Sequence, residues 1–120
     1  MSTTIARQVH FEAAHHLPNA PDGHKCRRLH GHSYSVEIHV TGSVDETTGW
    51  VCDFGELAKA FAPLRELLDH RTLNDVEGLE NPTSENLARW IWTRLAGKLA
   101  GLSGVVISET CTSKCIFTGP

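Results

Sequence analysis

His30-Gly31-His32-Ser33-Tyr34-Ser35-Val36-Glu37-Ile38-His39-Val40-Thr41 is the stretch on which the fold turns. Its even positions carry His30, His32, Tyr34, Val36, Ile38 and Val40; its odd positions carry Gly31, Ser33, Ser35, Glu37, His39 and Thr41. A period of two predicts a half-buried β-strand, expected to run to about Gly42. His30 and His32 therefore share the apolar face. Two imidazoles two residues apart on a strand can reach one metal ion, and Gly31 adds no side chain on the opposite face.

Upstream, residues 4–15 predict a partner strand. Ile5, Val9, Phe11 and Ala13 share one parity, broken only by Arg7, and that parity ends at His15. Antiparallel pairing sets the end of the first strand beside the start of the second. His15, His30 and His32 then converge at one end of the sheet. A lone histidine is more often a hydrogen-bonded structural residue, but three on matching faces shift the balance to metal binding. His16 has the opposite parity and is the weaker candidate. Between the strands, Pro18, Pro21, Asp22 and Gly23 are turn formers, and a long connection of this kind is often functional. It delivers Cys26 just ahead of His30, flanked by Lys25, Arg27 and Arg28. Cations beside a cysteine favour its thiolate. Alone, Cys26 reads as a chance cysteine in a solvated loop; beside His-Gly-His it reads as a reactive thiol.

Downstream, residues 43–49 are a polar loop closed by Gly49. Asp53 and Glu56 resemble a capping box. Leu57, Phe61, Leu64 and Leu68 follow at helical spacing, with Pro63 expected to kink or interrupt the helix. Cys52 reads as a buried small apolar residue. The helix is expected to end near Asp69-His70. That pair is either an ordinary surface pair or an Asp-supported histidine for proton transfer. Residues 71–82 read as a loop. Thr83 caps a second helix with Leu87, Ile91, Leu95 and Leu99 on one face, bracketed by Trp90 and Trp92 as packing residues. Val105, Ile107, Glu109 and Cys111 then share a strand face. Thr112-Ser113-Lys114 is a turn, and Cys115 to Thr118 is a fourth strand. A carboxylate on an apolar face is costly without a partner. Glu109 thus meets a structural cation or donor, or anchors a ligand with paired N–H groups. Cys111 and Cys115 read as structural, since no second pair accompanies them.

The totals agree with one α+β domain over residues 1–120. Eleven Lys and Arg against fourteen Asp and Glu give a net charge of -3, without a basic stripe for nucleic acid. No apolar run approaches the ~20 residues of a membrane span, and no signal-peptide pattern opens the chain. The expected address is cytoplasmic, where four cysteines are thiols rather than a disulfide framework.

The order strand, strand, helix, helix, strand, strand resembles the 6-pyruvoyl-tetrahydropterin synthase / 6-carboxy-tetrahydropterin synthase family once the motifs are joined to it. The resemblance rests on Phe11-Glu12-Ala13-Ala14-His15, Cys26 with His30-Gly31-His32, Asp53-Phe54, Leu68-Asp69-His70, Asn81-Pro82-Thr83-Ser84-Glu85 and Glu109-Thr110-Cys111-Thr112. Only Arg27, Arg28 and Leu29 separate Cys26 from the His-Gly-His. That short gap resembles the 6-carboxy-tetrahydropterin synthase branch, which serves queuosine and other deazapurine biosynthesis.

The resemblance implies a tunnelling fold: a four-stranded antiparallel sheet with two helices on one face, assembled as a homohexamer, a dimer of trimers, with active sites between subunits. It implies Zn²⁺ on His15, His30 and His32 and 7,8-dihydroneopterin triphosphate as substrate, with Cys26 as general base. Asp69 and His70 would relay a second proton, and Glu109 would hold the pterin ring. Lys25, Arg27 and Arg28 are candidates for the triphosphate. Two alternatives stand beside it. One is 6-pyruvoyl-tetrahydropterin synthase activity on the same substrate. The other is a non-catalytic zinc module in which Cys26 closes the site as fourth ligand.

Overall fold

The computed structural model describes residues 2–120. The alternating runs become two long strands, β1 (Thr3–His15) and β2 (His30–Gly42), paired antiparallel from Thr3↔Gly42 to His15↔His30. The register puts Phe11 opposite Tyr34 and Val9 opposite Val36, so the apolar sets of both strands fall on one face. Phe11 and Tyr34 stack with ring centroids 4.8 Å apart. A slip of one residue would turn every one of these side chains to the other face.

Helix α1 (Phe54–Leu68) begins where the Asp53 carboxylate accepts from the Gly55 N–H at 2.8 Å. It buries Leu57, Phe61, Leu64 and Leu68. Pro63 does not break it. Pro63 is exposed, so the carbonyl it leaves without a donor can be hydrated, and Leu64 and Leu68 beyond it are buried. Each buried leucine contributes roughly 1.5–3 kcal/mol, enough together to offset the ~3 kcal/mol cost of an interior proline.

The segment expected as loop carries a two-residue strand, β3 (Arg71–Thr72), paired parallel with β1 at Ala13 and Ala14, then a 3₁₀ turn over Leu73–Asp75. Helix α2 (Ser84–Leu95) is capped by Thr83, whose hydroxyl accepts from the Asn86 N–H at 3.1 Å. Trp90 is buried in the core and donates to the Glu77 carbonyl at 3.0 Å, and Trp92 meets Phe117 edge to face, so both are packing residues.

Gly101 turns the chain into the last hairpin. Its φ is +80°, and a Cβ there would lie 2.5 Å from the Thr41 carbonyl oxygen, so the position requires glycine. Strands β4 (Leu102–Thr110) and β5 (Ser113–Phe117) complete the sheet in the order β3-β1-β2-β4-β5. The expected four antiparallel strands are present, with β3 as a fifth, and the α+β class holds. The hairpin turn is tighter than predicted: Thr110 pairs with Ser113, which puts Cys111 in the turn and exposed rather than on the strand face. Cys52 is half-buried rather than buried and packs against the core, as does Cys115. Burial is the main reason both thiols are pushed above the ordinary value; Asp53 and Glu56 add to it at Cys52, and at Cys115 Glu85 adds to it while Arg89 opposes it. Among the described residues, no helix is long and apolar enough to cross a membrane.

Candidate metal centre and surrounding cleft

The β1–β2 register makes His15 and His30 a direct cross-strand pair and sets His32 opposite Ala13. The ligand-capable atoms of His15, His30 and His32 lie within 4.8 Å of one another, and among the described residues no other such group forms. His15 is buried and the other two are half-buried.

Backbone carbonyls decide which nitrogen each ring presents. His15 Nδ1 lies 2.9 Å from the Pro82 carbonyl, and His30 Nδ1 lies 2.7 Å from the Arg28 carbonyl. A carbonyl only accepts, so both Nδ1 atoms carry the proton in the neutral rings and both Nε2 atoms are lone pairs. Those two Nε2 atoms face each other at 3.1 Å. Two lone pairs at that distance repel unless a cation or a proton lies between them. The Nε2 of His32 is buried without a hydrogen-bond partner; the nearest carboxylate oxygen, Glu109 Oε2, is at 3.6 Å, too long for a good bond. Opposed lone pairs and an orphaned ring nitrogen are what a three-imidazole metal site leaves when described without its ion, so the donor set fits a transition-metal ion of the zinc type.

Burial holds the His15 pKa below the ordinary imidazole value. The Pro82 bond and the Glu109 charge oppose that, and the other two rings reinforce it. The ring is thus kept neutral, the form that binds metal. The Tyr34 hydroxyl lies 3.0 Å from His15 Nδ1, and burial followed by the Glu109 charge pushes its pKa far up, so it stays a phenol.

Glu109 is half-buried on β4. Its Oε1 accepts from the Ser84 hydroxyl at 2.8 Å, at the first residue of α2. Glu109 thus has the structural donor that one branch of the expectation asked for, on Oε1, and its Oε2 is turned toward His32. Glu109 also lines a cleft of about 350 Å³ with Ser84, Thr110 and Lys114.

Cys26 lies in a 3₁₀ turn over Lys25–Arg27 and is half-buried. It is outside the histidine group. Arg27 is engaged by its own loop, donating from Nη1 to the Pro18 and Ala20 carbonyls at 3.0 and 2.7 Å with Asp22 at 3.8 Å. Lys25 and Arg28 are exposed.

Asp69 and His70 form the pair that adjacency alone left open: His70 Nδ1 to Asp69 Oδ2 is 2.9 Å. The pair is fastened to the edge of β1, where Glu12 N–H donates to Asp69 Oδ1 at 2.9 Å and His70 N–H donates to the Glu12 carbonyl at 2.6 Å. The Glu12 N–H, then the His70 bond, hold the Asp69 carboxyl below its usual range. His70 has φ +58°, an uncommon left-handed conformation for a non-glycine residue, at the helix end. Its ring is exposed and lines a cleft of about 540 Å³ with Glu12, Gly31, His32, Ser33 and Thr72. Glu12 is three residues before His15, about 10 Å along the strand. Asp69 and His70 lie outside the group of three ligand-capable histidines, while the cleft that His70 lines reaches His32.

Sequence reasoning did not find Tyr34, the Pro82 carbonyl or Ser84 as supports of the site. Tyr34 was within reach, being two residues beyond His32 on the same face. The other two come from a segment remote in sequence.

A family described as 6-pyruvoyl tetrahydropterin synthase matches residues 4–120. The chain is 45% identical over 123 residues to the 6-carboxy-5,6,7,8-tetrahydropterin synthase of Synechocystis, covering 97% of this chain and 93% of that one. It is 38% identical over 101 residues to the dihydroneopterin monophosphate aldolase of Pyrococcus furiosus, covering 84% and 82%. The solved 6-pyruvoyl tetrahydropterin synthase of Caenorhabditis elegans matches with a TM-score of 0.90 at 31% identity, over 100% of this chain and 97% of that chain. Fold, histidine cluster and sequence likeness converge, and the chain belongs to the 6-pyruvoyl tetrahydropterin synthase family.

Proposed function

We propose that this single domain is a cytoplasmic zinc-dependent carbon–carbon lyase. It converts 7,8-dihydroneopterin triphosphate and water to 6-carboxy-5,6,7,8-tetrahydropterin, acetaldehyde and triphosphate, in queuosine or another deazapurine biosynthesis. The observation that carries this reading is the pair of opposed Nε2 atoms on His15 and His30, with His32 Nε2 orphaned beside them. The 45% identity to the Synechocystis enzyme supports the choice of reaction.

His15, His30 and His32 would hold Zn²⁺. Three protein ligands with an open position are the catalytic pattern, whereas a structural zinc is closed by four. Zinc bound there supplies Lewis acidity toward the oxygens of the pterin side chain. Cys26, as thiolate, takes a proton from the side-chain carbon. Asp69 accepts from His70 Nδ1–H, which leaves His70 Nε2 as the lone pair that takes and returns a second proton. In a homohexamer built as a dimer of trimers, with active sites between subunits as the family resemblance implies, that pair would serve the site of a neighbouring subunit. Glu109 accepts from the amino and ring N–H groups of the pterin. Lys25 and Arg28 meet the triphosphate, while Arg27 ties down the loop that precedes them.

The test is incubation of zinc-loaded protein with 7,8-dihydroneopterin triphosphate and identification of the products. Acetaldehyde with the 6-carboxy product is expected. A pyruvoyl product without acetaldehyde would assign the other synthase activity. Turnover of the monophosphate alone would favour the chemistry named for the Pyrococcus relative. Cys26 stands apart from the histidine group, which favours an open site over a closed zinc module.

A further inference from the structure

We infer that His24 is a positioning residue for Cys26, its ring capping the turn that presents the thiol. His24 is the N-cap of the Lys25–Arg27 turn, with extended φ and ψ of −69° and 132°, and its Nδ1 accepts the Cys26 N–H at 3.0 Å. An N–H only donates, so Nδ1 is a lone pair and the ring is the tautomer protonated at Nε2. Serine, threonine, aspartate and asparagine usually make such a cap; here an imidazole does so two residues from the thiol.

The Cys26 carbonyl is bound as well, accepting from the Leu17 N–H at 2.7 Å. With both backbone groups of Cys26 held, the direction in which its side chain leaves the turn is set. The turn is closed further by Arg27 N–H to the His24 carbonyl and Arg28 N–H to the Lys25 carbonyl, each at 3.1 Å. Arg27 ties the loop beneath to the Pro18 and Ala20 carbonyls. Of these bonds, the one from the His24 ring reaches the N–H of Cys26 itself. A general base must lie within hydrogen-bond reach of the proton it removes, so a turn free to pivot presents the thiol wrongly for part of the time.

The inference rests on the reading of Cys26 as the base, and the test separates the two. His24→Ala and His24→Asn are compared with the natural chain for kcat, KM, zinc content, and the rate at which iodoacetamide alkylates Cys26, followed on its own peptide. His24→Ala should lower kcat about tenfold, which is about 1.4 kcal/mol, with KM and zinc content unchanged. Alkylation of Cys26 should rise several-fold as the turn frays. His24→Asn, whose side-chain oxygen can accept the same N–H, should restore both readouts. Natural kcat and alkylation in His24→Ala would overturn the inference, as would an equal loss in His24→Asn. If Cys26→Ala keeps full turnover, the base reading falls; the alkylation readout still reports whether His24 orders the turn.

Discussion

The histidine group and the Cys26 turn lie at the same end of the β1–β2 pair, but they are held by different kinds of bonds. His15 is buried, and its ring is fixed by Pro82, a residue 67 positions away. Cys26 is half-buried in a turn bonded mostly within residues 17–28, with one link onward from the Arg28 carbonyl to His30 Nδ1. A group fixed by remote segments is as rigid as the whole fold and forms only when the fold forms. A turn fixed by its own neighbours can open locally while the sheet stays intact. The metal ligands therefore sit on the paired strands, with His30 also tied to the turn through Arg28, and the proposed base sits on the part able to open.

The largest effect should come from breaking the rigid half. His30→Ala or His32→Ala should abolish stoichiometric zinc and turnover together, while the apo protein keeps its circular dichroism and a Tm near that of the natural apo protein. The core cluster contains none of the three histidines. A full zinc complement in His30→Ala, measured by atomic emission, would show that the ligand assignment is wrong.

The local half should break differently. Cys26→Ala should retain zinc and bind substrate yet lose turnover by ~10²–10⁴-fold, the usual loss for a general base. Loss of zinc in this variant, with chemistry restored on reloading, would instead make Cys26 a fourth ligand and the site a closed one.

Glu109 borders the histidine group, bonded to Ser84 through Oε1 and turned toward His32 through Oε2. Glu109→Gln replaces an acceptor with a donor that opposes a pterin N–H. The loss of a charge-assisted bond is worth ~1.5–3 kcal/mol, or roughly tenfold to a hundredfold in affinity. Titration of zinc-loaded protein with a non-reactive pterin measures it. Unchanged affinity with unchanged folding would leave Glu109 as a structural acid bonded to Ser84.

The smallest effect concerns Asp69 and has a definite sign. Its folded pKa is depressed, first by the Glu12 N–H and then by His70. The stability it contributes is present above the unfolded value of about 3.9 and is lost as pH falls through the lower folded value. Asp69→Asn should therefore lower Tm slightly at neutral pH, and the gap should close in acid below the folded value. A gap that persists unchanged there would mean that the carboxylate charge is not what fastens the pair to β1.

Much of the fold was legible because its signals are local. The period of two in His30–Thr41 and the parity of Ile5 to His15 follow from strand geometry, and Asp53 and Thr83 are caps whose chemistry acts within three residues. The same parity placed the three histidines on one face before any contact was known. Pro63 does not interrupt α1, because a local helix breaker is overridden by the burial of Leu64 and Leu68, which is a tertiary term. The pair β3 makes with β1 is only two residues long, too short to carry a period.

The sequence by itself determined the element order and the convergence of His15, His30 and His32, since both depend on spacing along neighbouring strands. Only the tertiary structure decided which nitrogen each ring presents, that Ser84 supports Glu109, and that Asp69 and His70 are fastened to Glu12 rather than to the histidine group. Those contacts join segments far apart in the chain, and such pairings arise from packing of whole elements, for which no short stretch of sequence carries the period or the spacing.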